Sequence, residues 1–142
     1  MDSTNICILM ATYNGVRYVE EQILSIQQQT VRDWTLLIRD DGSTDSTAGL
    51  INSLAEKDSR IIVLGDSGES SGGAAQNFSR LMQAGLKTDC HIFFLCDQDD
   101  VWETNKLQRQ IQNFPELGRE PASLLVHSDL SVVDESLQPI HP

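Results

Sequence analysis

The chain contains five short runs of apolar residues that lack the polar alternation of a half-exposed strand. A strand with one solvent-facing side alternates apolar and polar residues, whereas a strand covered on both faces does not. The runs are therefore typical of strands inside a parallel sheet. They span residues 6–10, 34–38, 61–64, 92–96 and 124–126.

The segments between these runs carry apolar residues three or four positions apart, which predicts amphipathic helices. Alternation of strand and helix is the pattern of a layered α/β domain. We therefore expect residues 1–142 to form one Rossmann-like domain, a mostly parallel sheet flanked by helices. The last residues form no evident strand or helix, so we expect this domain to be incomplete at its C-terminus. The helical faces are Val19/Ile23/Ile26, Leu50/Ile51/Leu54, Phe78/Leu81/Met82 and Leu107/Ile111/Phe114.

The charge balance narrows the choice of partners. The 142 residues include 21 acidic and 10 basic side chains, which gives a formal net charge of −11. This charge argues against nucleic acid and against electrostatic adhesion to anionic lipid, because both need a basic surface. A phosphorylated ligand would need a metal ion or helix N-termini to offset the repulsion.

Cysteine content and the N-terminus bear on location. The three cysteines, Cys7, Cys90 and Cys96, form no CxxC pair, and free buried thiols fit a reducing cytosol. Residues 1–5 are polar, unlike a signal peptide, and no apolar stretch has the length of a membrane span. The expected location is the cytoplasm, with the inner face of the membrane as the alternative if missing segments supply the contact.

Polar residues follow the first run, at the edge of the sheet where ligands of open α/β folds bind. The small Ala11 admits a ligand to the backbone, and Thr12 and Asn14 offer hydrogen-bonding side chains. The alternative is an ordinary strand-to-helix turn, since Asn14-Gly15 is a favoured turn pair.

Two carboxylates follow the second run. Either Asp40 or Asp41 could accept a hydrogen bond from a nucleobase N–H or a ribose hydroxyl. The competing interpretation is helix capping by the residues 43–45 that come next, Ser, Thr and Asp. Both can hold, because the two carboxylates precede the cap.

Three carboxylates follow the fourth run within four positions, at Asp97, Asp99 and Asp100. Carboxylates this close repel one another and resist desolvation, and a fold does not need them. Hard divalent cations take oxygen ligands from aspartates, so the cluster predicts a cation site. A solvated acidic turn with a helix cap would explain one aspartate, not three.

The segment 65–73 is small, polar and rich in glycine, which predicts a loop between the third strand and the third helix. It lacks the GxGxxG and GxxxxGK[ST] spacings of dinucleotide and P-loop sites. No role follows from its sequence.

Three motifs in this order resemble family 2 glycosyltransferases of the GT-A fold: ATYNG after the first strand, RDDGSTDST after the second and CDQDDVW after the fourth. The resemblance covers nearly the whole chain. QNFSRL at 76–81 and DQDDVW followed by Lys106-Leu107 are similar to a bacterial subgroup of rhamnosyl or polysaccharide transferases. The resemblance implies the N-terminal, donor-binding part of such an enzyme, acting in cell-surface polysaccharide synthesis.

The resemblance also implies roles for individual residues. Asp41 or Asp40 would contact the base, Asp97 the ribose or sugar, and Asp99 a Mg²⁺ or Mn²⁺ ion that bridges the diphosphate. The donor would be a UDP or dTDP sugar, and the acceptor a saccharide or a lipid-linked sugar whose hydroxyl attacks the anomeric carbon of the donor with inversion. The implied nucleotide-sugar-binding set is Ala11, Thr12, Asn14, Asp40, Asp41, Asn77, Asp97 and Gln98, with Asp99 and Asp97 as metal ligands.

No catalytic base is identifiable. Inverting members of the family use a carboxylate in the acceptor-binding half, beyond the acidic cluster, and neither Asp129 nor Asp134 is assigned to that role.

Two other functions stay open. The segment 97–101 also fits the DxDx[T/V] motif of haloacid dehalogenase phosphohydrolases, in which Asp97 would be the nucleophile. The chain could also be a nucleotide-sugar-binding module without catalysis.

Overall fold

The computed structural model describes residues 5–113 and 126–140, and strands and helices alternate along the first of these ranges. The strands are β1 (Ile6–Thr12), β2 (Trp34–Asp40), β3 (Ile61–Val63) and β4 (Ile92–Cys96). The helices are α1 (Val19–Gln27), α2 (Thr47–Lys57), α3 (Ala74–Gly85) and α4 (Lys106–Gln112). The predicted α/β fold is confirmed.

Two predicted elements fall partly outside the described ranges. The apolar run 124–126 has only Val126 inside them, and this residue lies in no strand. The fourth helical face was predicted to reach Phe114, which is not described, and α4 ends at Gln112.

The four strands form one parallel sheet in the order β3-β2-β1-β4. β1 is interior, and six of its seven residues are buried, which explains why its apolar run shows no alternation. Thr12 pairs with Asp40 on β2, and Met10 pairs with Cys96 on β4. The carboxyl ends of β1, β2 and β4 therefore meet at one edge of the sheet.

Each face of the sheet has its own apolar layer. Ile8, Met10 and Ile38 pack with residues of α1, α2 and α4 on one face. Leu9 and Leu37 pack with α3 on the other. Because neighbouring strand residues point to opposite faces, each strand contributes to both layers.

Gly85, the last residue of α3, marks a close approach of that helix to the sheet. A Cβ atom at this position would lie 2.9 Å from Cε1 of Phe93 and 3.4 Å from Cδ2 of Leu9. We expect Gly85→Ala to lower the free energy of unfolding by about 1–3 kcal/mol, because overpacking outweighs the helix propensity of alanine. Urea denaturation measures the change.

Gly49 in α2 provides the matched control, since a Cβ atom there would meet nothing within 4 Å. Gly49→Ala is expected to raise the free energy of unfolding by up to about 1 kcal/mol. Equal effects of the two substitutions would contradict the close approach of α3 to the sheet.

Among the helices of the described ranges, none combines the length and apolar content needed to cross a bilayer. Cys7, Cys90 and Cys96 are free thiols, and the first and last of them are buried.

Candidate functional site

A cavity of about 450 Å³ opens at the carboxyl edge of the sheet. Its walls come from the segments that follow β1, β2 and β4, from residues 70 and 73 of the glycine-rich loop, and from the first turns of α3. Seven of the nine predicted site residues line it: Ala11, Thr12, Asp41, Asn77, Asp97, Gln98 and Asp99. Asn14 and Asp40 are not among the lining residues.

Asp40 is buried and its carboxylate is saturated by local donors. It accepts hydrogen bonds from Thr12 Oγ1 at 2.9 Å, from the Ser43 amide at 2.8 Å and from Ser43 Oγ at 2.6 Å. Asp40 has the same strand orientation as Ile38, toward α1 and α2, which takes it away from the cavity. It ties the end of β1 to the loop after β2.

Of the two neighbouring carboxylates Asp40 and Asp41, Asp41 is the one that lines the cavity. It accepts the Ser71 amide and forms an ion pair with Nη1 of Arg39 at 3.1 Å. Burial opposes its ionisation, but hydrogen bonds from Ser71, Arg39 and Gly73 hold its pKa below the ordinary carboxyl value. Asp41 is therefore a fixed, ionised acceptor at the cavity wall.

Asn14 organises the loops beside the cavity instead of lining it. Its φ of 47° places it in the left-handed region that asparagine tolerates. Its Oδ1 accepts the Thr44 amide at 2.8 Å, and its own amide donates to Ser43 Oγ at 2.8 Å. These bonds agree with the alternative interpretation of Asn14-Gly15 as a turn.

Gln98 joins the segment after β4 to the segment after β1. Its Oε1 accepts the Tyr13 amide at 2.9 Å, and its Nε2 donates to the Tyr13 carbonyl at 3.0 Å. The side chain crosses so close to Gly15 that a Cβ atom there would overlap it. Gln98 therefore uses its polar atoms to close the cavity wall, which sequence reasoning did not foresee.

Three carboxylates of the acidic segment, those of Asp97, Asp99 and Asp100, accept no hydrogen bond from the described residues, and the first two line the cavity. Partial desolvation raises the pKa of Asp100, and the negative charges of Asp97 and Asp99 raise it further by a smaller amount. Within the described ranges, no three or more acidic, histidine or cysteine side chains are grouped to hold a metal ion. Two free carboxylates fit a divalent cation that takes its remaining oxygens from water or a bound ligand.

Ser25 of α1 and Gln29, two positions beyond the end of that helix, hold the residues that follow the acidic segment in place. Ser25 Oγ accepts the Trp102 amide at 3.0 Å, and Gln29 Oε1 accepts the Leu107 amide at 3.0 Å. Gln29 Nε2 also donates to the Glu103 carbonyl at 2.8 Å. Both side chains are buried, and the predicted site did not include them, because a polar residue in or just after an amphipathic helix gives no signal of its distant partner.

A second cavity, of about 340 Å³, lies on the other side of Asp99. Asp99 and Asp100 form part of its wall, together with Arg17 and residues 133–135 and 137. Arg17 pairs with Glu135 at 2.6 Å, but both side chains are mostly exposed, so this ion pair contributes little to stability. Asp99 is thus shared by two adjoining cavities.

The arrangement of parallel sheet, carboxyl-edge cavity and exposed aspartates is that of a GT-A domain, and solved structures of this class share the fold. Staphylococcus aureus TarS, residues 1–349, superposes with a TM-score of 0.62 at 20% identity over 76% of this chain and 31% of its own. The mannosyltransferase PcManGT from Pyrobaculum calidifontis, in complex with GDP-Man and Mn²⁺, gives a TM-score of 0.66 at 20% identity over 75% of this chain and 31% of its own.

Residues 7–129 match the model of glycosyl transferase family 2, and the chain belongs to that family. This confirms the resemblance drawn from the three motifs. The dTDP-rhamnosyl transferase RfbG of Shigella flexneri is 39% identical over 103 residues, which are 72% of this chain and 35% of RfbG. The UDP-Glc:alpha-D-GlcNAc-diphosphoundecaprenol beta-1,3-glucosyltransferase WfgD of Escherichia coli is 35% identical over 111 residues, 78% of this chain and 41% of WfgD. The chain thus spans between a third and about two fifths of these relatives.

Proposed function

We propose that this chain is the donor-binding domain of a metal-assisted glycosyltransferase that uses a UDP or dTDP sugar. The observation that carries the proposal is the convergence of Asp41, Asp97 and Asp99, from two distant segments, on one cavity. Asp41 is ionised and fixed, whereas Asp97 and Asp99 are free of protein donors among the described residues. A nucleotide needs a fixed acceptor for its base, and its diphosphate needs a counter-charge.

Each carboxylate then has its own role. Asp41 accepts a hydrogen bond from the N3–H of uracil or thymine. Asp97 accepts from a ribose or sugar hydroxyl and shares a Mg²⁺ or Mn²⁺ ion with Asp99. When bound, the metal neutralises the charge that develops on the leaving diphosphate. Without the metal, the net charge of −11 repels the donor.

The names of two relatives support a proposal for the acceptor and the location of the enzyme. The name of RfbG describes transfer of rhamnose from a dTDP donor. The name of WfgD describes transfer of glucose to a diphosphoundecaprenol-linked sugar. We infer that this chain acts at the cytoplasmic face of the membrane, on a saccharide or lipid-linked acceptor of cell-surface polysaccharide. The catalytic base is not assigned to any described residue.

The phosphohydrolase alternative is not favoured. It would use Asp97 as a nucleophile and leave Asp41 and Asn77 without a function, although both line the same cavity. The family assignment also opposes it.

Calorimetry with the 142-residue chain tests the proposal directly. We expect UDP or dTDP to bind in the presence of Mn²⁺ and to bind at least about tenfold more weakly when EDTA replaces the metal. CDP is the control, because cytosine carries no N3–H for Asp41, and it should bind more weakly than UDP. Equal affinities with and without metal would contradict the proposed cation site.

A further inference from the structure

Arg39 is fully buried at the end of β2, on the face of the sheet that α3 covers. Taking a guanidinium ion out of water costs several kcal/mol unless every donor finds an acceptor. The two nitrogens nearest the glycine-rich loop 65–73 are satisfied by that loop. Nε donates to Oδ2 of Asp66 at 2.9 Å, and Nη2 donates to the carbonyls of Asp66 at 3.2 Å and Glu69 at 2.7 Å.

The remaining nitrogen of Arg39 points toward the cavity wall. Nη1 donates to Oδ1 of Asp41 at 3.1 Å and to Oδ1 of Asn77 at 3.1 Å. Asn77 in turn donates from Nδ2 to the Arg39 carbonyl at 3.2 Å, so its amide is fixed from both ends. All five N–H donors of the guanidinium are therefore used, and two of their acceptors, Asp41 and Asn77, line the nucleotide cavity.

Glycines give this loop little rigidity of its own, so its shape depends on contacts with its neighbours. Gly68, Gly72 and Gly73 adopt positive φ values of 97°, 99° and 123°, which glycine reaches without strain but does not by itself maintain. The contacts besides those of Arg39 include bonds from the Gly68 amide to the Asp40 carbonyl at 3.0 Å, from the Asp40 amide to Ser67 Oγ, and from the Ser71 amide to Asp41. Asp66 also pairs with Arg80 of α3 at 3.4 Å. Loop residues 70 and 73 nevertheless form part of the cavity wall.

We propose that Arg39 is a positioning residue that holds the glycine-rich loop and the side chains of Asp41 and Asn77 in the arrangement that recognises the base. The inference rests on the proposed function, because it takes the cavity to be the nucleotide site. It gives the 65–73 loop a role that no motif in its sequence indicates. Lysine cannot replace arginine here, since an ammonium has three donors and cannot span five acceptor positions in a planar fork.

Arg39→Lys in the full chain tests the proposal with two readouts. Hydrogen exchange of the amides in 65–73 is expected to accelerate at least about tenfold, as the loop opens more readily. Affinity for UDP with Mn²⁺ is expected to fall, and the preference for UDP over CDP to shrink by about tenfold, because Asp41 is no longer aimed at the base. A merely structural residue would weaken both nucleotides equally.

Arg60→Lys is the matched control. Arg60 pairs with Asp58 at 2.8 Å and stacks over Trp34 at the opposite edge of the sheet, away from the cavity. It should leave loop exchange and the UDP-to-CDP ratio unchanged. Asp66→Asn provides a second test, because it keeps an oxygen acceptor for Nε of Arg39 but removes the charge that pairs with Arg39 and Arg80, and it should loosen the loop in the same direction as Arg39→Lys.

The outcomes separate the inference from the function on which it rests. Native affinity for UDP with an unchanged UDP-to-CDP ratio in Arg39→Lys would overturn the role of Arg39 and leave the proposed function intact. Unchanged loop exchange in both Arg39→Lys and Asp66→Asn would do the same. Failure of the unsubstituted chain to bind any nucleoside diphosphate would overturn both.

Discussion

Asp99→Asn is expected to remove the metal dependence of nucleoside diphosphate binding. Asp99 is exposed on the cavity and no described residue donates a hydrogen bond to its carboxylate, so its charge is free for a cation. An amide oxygen is a much weaker ligand, and a charge-assisted contact is worth about 1.5–3 kcal/mol. Calorimetry should show at least about tenfold weaker binding of UDP or dTDP with Mn²⁺, and no further loss on adding EDTA.

Asp100→Asn is the control for this prediction. It makes the same change of charge one position along the chain, and Asp100 lines the second cavity but not the first. Metal-dependent binding should persist in this variant. If Asp100→Asn abolished it and Asp99→Asn did not, the assignment of the metal ligand would be wrong.

Asp41→Asn is expected to weaken UDP binding and to destabilise the fold. The substitution takes one of two carboxylate partners from the buried Arg39, whose side chain is 0% exposed, and an uncompensated buried donor costs about 1–3 kcal/mol. The loss should appear as a lower free energy of unfolding at pH 7 in urea. The variant should also discriminate less between UDP and CDP, because an amide can either donate to or accept from the base.

The same carboxylate predicts a difference in acid stability. The folded pKa of Asp41 lies below its ordinary value of 3.8, so its stabilisation is fully present above that value and is lost as the pH falls through the folded pKa. The gap in stability between native chain and Asp41→Asn should therefore shrink as the pH drops below about 4. Paired urea titrations at pH 7 and pH 3 measure it.

Asp45→Asn is the control for the effect on nucleotide binding. Asp45 belongs to the same motif but bonds Thr47 and Val16 outside the cavity, and an amide oxygen can keep these acceptor contacts. Nucleotide binding should be unchanged. A gap between native and Asp41→Asn that widened in acid would contradict the depressed pKa of Asp41.

The apolar runs predicted the strands, but they did not predict every strand end. β4 has the predicted bounds, because its run ends where the carboxylates begin. β2 was expected to end at Ile38, yet it continues through Arg39 and Asp40. A charged residue looks like a strand end in sequence, and it stays within a buried strand here only because partners from two other segments satisfy it.

The sequence predicted most, but not all, of the residues that line the cavity. The position of the motifs after parallel strands placed most of the site residues on one cavity, since strand ends in such a sheet meet at one edge. The sequence left Asp40 and Asp41 as alternatives. Alternation along β2 separates them, so that Asp40 lies on the side of α1 and Asp41 reaches the cavity.

By itself, then, the sequence determined the α/β fold, the edge of the sheet where the cavity opens and most of the polar residue types that line it, because these follow from periodicity and order along the chain. Only the tertiary structure decided which carboxylates face the cavity, that Asn14 and Gln98 bond to loop backbone, and that Arg39 joins the glycine-rich loop to Asp41. The contacts between separate segments join residues 27 or more positions apart, as in the bonds from Arg39 to Asp66 and Glu69. A hydrogen bond between distant segments depends on where the packed sheet and helices carry them, and no local pattern encodes that position.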